Sequence, residues 1–325
     1  MANMQQIADA LGITRTHVAR ALNNSGYVKE SLRVKILKTA KRLNYRPNRS
    51  AVALAARRTM TVGLFSGVDP VYFNAFSPLP EMTHHLSDAL DQLGYSLRVM
   101  PGHAASVERM DGAICAFTAG VEMFRAAARG RSLPAVAMLR LMPGQTAPGG
   151  MASVTYDRAP ALASLAAMCR QKGMRRIGVL SARMSGAQAG APEIFDAFER
   201  EGLAVARPDA LLVERQPESL VRQILDLMPR IRKMDLCVLR SEAVAFPFYQ
   251  AACVAGLRIP QDLSVAAVSH ASFSVSMSPP LSAIEFSLEE FCAQVAQSMA
   301  SAIAGQPFER SKVVEAQFIN RQSIR

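Results

Sequence analysis

Apolar residues recur at helical spacing near the start of the chain and predict three helices. They are predicted at residues 4–11, 15–22 and about 30–43. Gly12 can adopt the left-handed conformation that ends a helix, and Thr14 is a good N-cap for the next one. Two short helices joined by a tight turn with a glycine form a helix-turn-helix.

From Thr61 onward, short β-forming runs alternate with helical ones. The predicted strands are TVGLF, YSLRVM, DGAICAF, PAVAML and ASVTY in a first series, then RIGVLS, MDLCVL and LSVAAV in a second. Helices are predicted near residues 81–93, 159–172, 193–201 and 244–255. This alternation predicts parallel sheets with helices on both faces, and two series predict two lobes.

Charge is distributed very unevenly along the 325 residues, which carry a formal net charge of +11. Residues 1–60 contain twelve Lys/Arg and two acids, hence +10, whereas the remainder contains 25 basic and 24 acidic residues, hence +1. The basic segment also has periodic apolar residues, so it is not a solvated tail. A basic, folded head on a nearly neutral body predicts a polyanion partner for the head alone.

The second predicted helix carries side chains suited to DNA. Arg15, Thr16 and His17 lie in its first turn, and Arg20 lies one turn further. An α-helix fits the major groove, where an arginine can donate two hydrogen bonds to guanine O6 and N7. These residues are therefore candidates for base or phosphate contacts.

Other classes of protein find little support in the sequence. Five cysteines stand singly without a CxxC pair, which predicts buried free thiols and no disulfide framework. The histidines lack partners at metal-ligand spacing, so neither a metal site nor a cofactor is predicted. No apolar run approaches the ~18 residues of a membrane span, and the N-terminus does not resemble a signal peptide. We expect a cytoplasmic protein, with no membrane partner and no enzymatic activity.

The stretch IADALGITRTHVARALNNSGYVKESLRVKILKTAKRLNYRPNRSA resembles the DNA-binding head of the LacI/GalR family of bacterial repressors. His17 replaces the threonine that is usual in this family. Lys29 stands where a serine commonly caps the third helix. The missing cap would cost about 1 kcal/mol, unless Ser31 caps the helix one turn later.

The resemblance also gives a role to the stretch RPNRSAVALAARR, residues 46–58. In this family the segment is a hinge helix that pairs with its dimer mate in the minor groove and wedges a leucine, here Leu54, between base pairs. A linker helix packed on the body is the alternative. The residues expected to contact DNA are Thr14, Arg15, Thr16, His17, Arg20, Asn23, Asn48, Arg49, Ala51 and Leu54.

The remainder resembles the periplasmic-binding-protein-like core of the same family. The resemblance implies that the chain crosses between the lobes near Asp157, near Ile284 and after Glu315, and that a small effector binds in the cleft. Ser241-Glu242 and Ser269-His270 replace the family's usual Asn-Asp and Asp pair. The effector-contacting residues expected here are Asp157, Arg183, Arg240, Ser241, Ser269 and His270. An anionic or a sugar-derived effector, or the loss of effector control, all stay open.

The predicted fold is an all-α helix-turn-helix head with a hinge helix, plus a two-lobed α/β periplasmic-binding-protein-like core with parallel sheets. The predicted boundaries are 1–46 for the head, 47–58 for the hinge and linker, and 59–325 for the core. The resemblance implies a transcriptional regulator, a repressor, that binds double-stranded operator DNA and is nucleoid-associated when bound. A homodimer is expected over a tetramer, because no leucine-heptad tail follows the closing strand. The alternatives are a regulator without effector response and a small-molecule-binding protein that acts without DNA.

Overall fold

The computed structural model describes residues 3–22, 26–43, 58–67, 78–100, 106–139, 147–183, 192–206, 211–214 and 219–325. The chain divides into two compact units, Met1–Met60 and Thr61–Arg325. Each unit encloses its own apolar core.

The described residues of the first unit form three helices, as predicted: α1 (Met4–Leu11), α2 (Arg15–Leu22) and α3 (Glu30–Arg42). Their shared core contains fully buried residues from every helix. Gly12 ends α1 in the left-handed conformation, with φ 63°. Leu37, one of the regularly spaced apolar residues of α3, is 48% exposed, whereas Thr39 of the same helix is buried. The helical phase of α3 therefore differs slightly from the one that its apolar residues indicate.

The N-terminus of α3 has no side-chain cap. Lys29 is the N-cap residue and makes no capping hydrogen bond. Ser31 lies inside the helix, which already begins at Glu30, so the helix does not start one turn later. The uncapped start is a local weakness of the head.

Replacing Lys29 by serine should stabilise α3 by about 1 kcal/mol, because a serine hydroxyl accepts a hydrogen bond from a first-turn amide. Removing a positive charge from this end of the helix dipole acts in the same direction. Hydrogen exchange of the α3 amides in the full chain measures the effect as slower exchange. A Lys35→Ser control, at an exposed position within α3, should give faster exchange because serine forms helix less well than lysine. Unchanged exchange in Lys29→Ser would contradict the prediction.

A six-stranded, all-parallel sheet is the centre of the first lobe of the second unit, in the order β12-β5-β4-β3-β1-β2. Its strands are β1 (Thr61–Phe65), β2 (Ser96–Val99), β3 (Gly112–Ala116), β4 (Ala135–Met138), β5 (Ala152–Asp157) and β12 (Ser311–Glu315). Its helices are α4 (Leu79–Gln92), α5 (Phe117–Ala128) and α11 (Leu288–Ala304). A short 3-10 turn, Pro148–Gly150, precedes β5.

The second lobe has a seven-stranded sheet in the order β13-β11-β10-β9-β6-β7, with β8 paired to β6. Its strands are β6 (Arg176–Arg183), β7 (Ala204–Val205), β8 (Leu212–Glu214), β9 (Leu236–Leu239), β10 (Ser264–Val268), β11 (Ser282–Glu285) and β13 (Gln317–Ile319). Its helices are α6 (Ala159–Gln171), α7 (Pro192–Arg200), α8 (Leu220–Ile231), α9 (Glu242–Val254) and α10 (Ala271–Ser276). β13 runs antiparallel to β11, and the other pairings are parallel.

Helices cover both faces of the second sheet. Along β9, Leu236 and Val238 point into one core cluster, whereas Cys237 and Leu239 point into the other. Successive strand residues face opposite sides, so a strand that is apolar at every position needs a core on each side. This explains why the strand runs in the sequence are continuously apolar.

Three segments connect the lobes, at the places predicted. β5 of the first sheet is followed by α6, which packs in the second lobe. β11 of the second sheet is followed by α11, which packs against β3, β4 and β5. β12 of the first sheet leads to β13 of the second, and the Ala316 N–H donates to the Asp157 carbonyl at 2.8 Å. The two lobes are therefore joined by three neighbouring segments, which form the interlobe hinge.

Four of the five cysteines are buried, as expected, but Cys253 is exposed. Burial raises the pKa of the Cys115, Cys169, Cys237 and Cys292 thiols to about 12. Those four thiols are therefore protonated and unreactive at neutral pH.

Candidate DNA-reading surface and interlobe cleft

Thr14 immediately precedes α2, and its carbonyl accepts hydrogen bonds from the first-turn amides of His17 and Val18. Its hydroxyl oxygen accepts from the His17 N–H at 3.4 Å and lies 2.8 Å from His17 Nδ1. His17 is the third residue of the helix, the position whose side chain bonds back to the N-cap residue in a capping box. His17 is thus tied to the start of the helix while staying exposed.

The outer side of α2 carries the predicted DNA-reading residues. Val18 and Ala21 are buried and anchor the helix, while the side chains of Arg15, Thr16 and Arg20 are exposed. The predicted base- and phosphate-contacting groups of α2 therefore share the surface that the core leaves free.

Arg20 is supported by the turn that follows α2. Gly26 has φ +68°, and a Cβ placed on it would lie 3.4 Å from Arg20 Cδ. The arginine stem therefore packs over the glycine, and its guanidinium is held away from the head's core. A glycine suits this position because L-residues with side chains rarely adopt such a φ.

The exposed basic residues of α3 enlarge the positive surface of the head. Lys35, Lys38, Lys41 and Arg42 are exposed. Asn23, Asn48, Arg49, Ala51 and Leu54 lie outside the described residues. Residues 47–57 of the predicted hinge and linker likewise lie outside the described residues.

The predicted effector residues of the second lobe lie at the carboxyl ends of adjacent strands. Arg240 and Ser241 follow β9, and Ser269 and His270 follow β10, its neighbour. Arg183 is the last residue of β6, which pairs with β9 on its other side. The sheet therefore brings these positions to one edge, where ligands bind in open α/β folds.

Asp157 lies at the end of β5 in the first lobe, at the first crossing. Its Oδ1 accepts from the Ala159 N–H at 2.9 Å, so the carboxylate also holds the turn into α6. Beside it, the Tyr156 ring stacks on Phe286 with ring centroids 4.2 Å apart. The first and second crossings between the lobes are therefore packed together through these two aromatic rings, which stabilises the interlobe hinge.

His270 joins the two lobes, an arrangement that the sequence did not reveal. Its Nδ1 lies 2.9 Å from Glu242 Oε1, in the first turn of α9. Its Nε2 lies 3.7 Å from Glu81 Oε2, in the first turn of α4 of the other lobe. Ser272 also donates a hydrogen bond to Glu81 Oε2. The imidazole is thus placed between carboxylates of opposite lobes.

The surroundings of His270 favour its charged form. Burial alone would lower its pKa, but the Glu242 hydrogen bond and the charges of Glu242, Glu81 and Glu285 outweigh burial and raise the pKa above its usual value. Ser269 and His270 are only 5% and 6% exposed, and Glu81 of the other lobe lies against His270.

Glu285 ends β11 and forms a buried ion pair with Arg321. The Nη1 and Nη2 nitrogens of the Arg321 guanidinium donate to Glu285 Oε1 and Oε2 at 2.7 and 2.8 Å. Arg321 also donates to the Leu281 carbonyl at 2.9 Å. The C-terminal segment is thereby fixed to β11, the strand that leads into the second crossing between the lobes.

Two surface grooves lie at the opposite, amino ends of the strands. Lys172, Asp235 and Arg325 line the smaller one, and Arg125 and Arg310 line the larger one with other residues. Both are remote from the predicted effector residues. Their position gives no support to a ligand site at the carboxyl edge, where the described lobes are in contact.

Within the described part of the chain, no three His, Cys, Asp or Glu side chains come together as metal ligands. No helix there has the length and apolar character needed to cross a membrane.

Comparison with known proteins finds two family models that match this chain, one in each unit. Residues 3–48 match the family model described as bacterial regulatory proteins, lacI family, and residues 166–324 match the periplasmic binding protein-like domain. The probable HTH-type transcriptional repressor ExuR of Bacillus subtilis (strain 168) is 24% identical over the whole chain and 99% of that protein. The ribose operon repressor of the same organism is 34% identical, over 30% of this chain and 28% of that protein.

A solved structure extends the comparison to the fold. The transcriptional regulator CelR–cellobiose complex superposes with a TM-score of 0.65 at 19% identity and covers 99% of this chain and all of that one. At this identity the likeness concerns the fold alone. It agrees with a helix-turn-helix head followed by a two-lobed α/β core.

Proposed function

We propose that this chain, a member of the LacI family of bacterial DNA-binding transcriptional regulators, is a repressor. Its affinity for its operator changes when a small molecule binds in the interlobe cleft. The observation that carries the DNA-binding part is the exposed face of α2. Arg15, Thr16 and Arg20 share that face beside a basic α3.

The arrangement on DNA follows from the geometry of helix-turn-helix proteins. A homodimer would place two copies of α2 in successive major grooves of a pseudo-palindromic double-stranded operator. The paired hinge segments, with Leu54 as wedge and Asn48, Arg49 and Ala51 against the groove, would bend its centre. Such a protein acts in the cytoplasm and is nucleoid-associated when bound.

The carboxylates at the cleft constrain the effector. Glu81, Glu242 and Asp157 lie close to the predicted site, and their negative charges disfavour an anionic ligand. Carboxylates accept hydrogen bonds from hydroxyl groups, as a sugar-like ligand requires. Relatives named for ribose and cellobiose support a sugar-derived effector over an anionic one.

Selection of bound DNA from a random pool by the full chain tests the proposal. We expect enrichment of a two-fold symmetric site, and altered recovery of that site when sugars are added. A protein that lacks residues 1–58 serves as control and should enrich no sequence. Recovery of unrelated sequences only would overturn the regulator's proposed sequence specificity.

A second candidate is a regulator of the same fold that does not respond to an effector. The contact of buried His270 with Glu81 of the other lobe favours it, because the protein's own side chains occupy part of the edge where a ligand would bind. Calorimetry against a sugar panel separates the two, since this candidate gives no heat of binding while it still selects a symmetric site.

A further inference from the structure

Glu81 is the residue through which α4 of the first lobe contacts His270 and Ser272 of the second. Oε2 faces both His270 Nε2, at 3.7 Å, and the Ser272 hydroxyl. Oε1 lies 3.7 Å from His85 Nε2 on the same helix. The contact spans 189 residues of sequence and exists only while the lobes are close together.

Only the doubly protonated imidazole presents an N–H to both neighbours of His270, as a hydrogen bond to Glu242 at 2.9 Å and as an ion pair with Glu81 at 3.7 Å. Neutral histidine carries one N–H, whereas the imidazolium donates from both ring nitrogens. Nδ1 faces Glu242 at 2.9 Å on its own lobe, and Nε2 faces Glu81 on the other. The neutral ring would leave one carboxylate facing a nitrogen lone pair.

We propose that protonated His270 is a latch that holds the lobes closed, so that proton binding, together with the effector, controls the conformation of the cleft. The inference rests on the proposed role of that cleft in regulation. It adds a second input, pH, to the same conformational equilibrium.

The groups that face His270 determine the sign of the effect. They are Glu81 from α4, Glu242 from α9 and Glu285 from β11, while Glu285 is itself paired with Arg321 and Glu81 is shared with His85. Opening the lobes removes Glu81, so the pKa of His270 is higher in the closed form than in the open one. Proton binding therefore favours closure at pH values below the open-form pKa, and this contribution is lost as pH rises through the closed-form pKa.

An NMR titration of the histidine side chains in the full chain, without DNA or effector, tests the latch. His270 is assigned by the resonance that disappears in His270→Gln. We expect Glu81→Gln to lower the proton affinity of His270 by about tenfold, which corresponds to one pH unit in the midpoint. Circular dichroism confirms that each variant is folded.

Asp88→Asn is the matched control for Glu81→Gln. Asp88 lies on the same helix, and its pair with His84, at 3.5 Å, is exposed. It removes the same charge without touching His270, so the His270 midpoint should stay unchanged. Glu242→Gln should also lower the midpoint of His270, because it removes the carboxylate next to Nδ1. That contact lies within one lobe, so its effect does not depend on lobe closure. A Glu81→Gln midpoint equal to the parent's, with Glu242→Gln lowered, would overturn the latch.

The distance between the two lobes is a second readout, which would not change if His270 had only a local role. One dye is attached to the exposed Cys253 of the second lobe, and the other to Glu122→Cys, an exposed position on α5 of the first. The distance should increase as pH rises in the parent and stay constant in His270→Gln. A constant distance in both proteins would overturn the proposal. Neither readout uses DNA, so a failure of the latch is separable from a failure of the proposed regulator function.

Discussion

Replacing Arg321 by alanine should lower the free energy of unfolding by about 3–5 kcal/mol, the range found when one partner of a buried ion pair is removed. The Arg321 and Glu285 side chains are only 15% and 7% exposed. Without the guanidinium, the Glu285 carboxylate stays buried but loses two charge-assisted hydrogen bonds. The cost arises mainly from that uncompensated charge.

Urea denaturation of the full chain, monitored for the core, measures this loss. Arg258→Ala is the control, since Arg258 also bonds Asp262 with its guanidinium but on the surface, where solvent screens the pair. It should be far less destabilising. Adding Glu285→Gln to Arg321→Ala should recover part of the stability, because the charge is then gone. If the double variant were less stable than Arg321→Ala, the proposed cause would be wrong.

The fold was predictable because it depends on local patterns. The three helices of the head appear at the predicted residues, and each predicted strand of the core corresponds to an observed one. The DGAICAF run shows the limit of this reasoning. Phe117 was predicted to end the strand, but with φ 61° it begins α5 without an intervening loop. A positive φ at a phenylalanine leaves no signal in hydrophobic periodicity.

The cleft was predictable only in part. The family resemblance indicated the edge at which Arg240, Ser241, Ser269 and His270 lie. The contact of His270 with Glu81 was not predictable, because no periodicity relates two residues from different lobes. Glu242 was noticed as a departure from the family's pattern, yet its contact with His270 depends on the turn after β10. The charges that raise the pKa of His270 therefore could not be identified from a single sequence, because they come from segments far apart along the chain.

Replacing Arg20 by alanine should weaken binding to the selected operator by about 1–3 kcal/mol, or roughly 5- to 150-fold, and relax the base preference at one position of each half-site. The physical reason is the loss of a guanidinium that can donate two parallel hydrogen bonds to guanine. Titration of labelled DNA, at one stated salt concentration, measures the affinity, and repeated selection measures the base preference.

Lys35→Ala provides the contrast, because it removes a charge from the same unit but not from α2. Lys35 is exposed on α3, so a contact with phosphate would make its loss weaken all sequences alike and reduce the salt dependence of binding. The two variants thus separate charge from base reading. If Arg20→Ala weakened every sequence equally, Arg20 would be a phosphate contact. In that case the specificity would have to come from Arg15, Thr16 and His17 in the first turn of α2, where Thr14 already holds the His17 ring 2.8 Å from its hydroxyl oxygen.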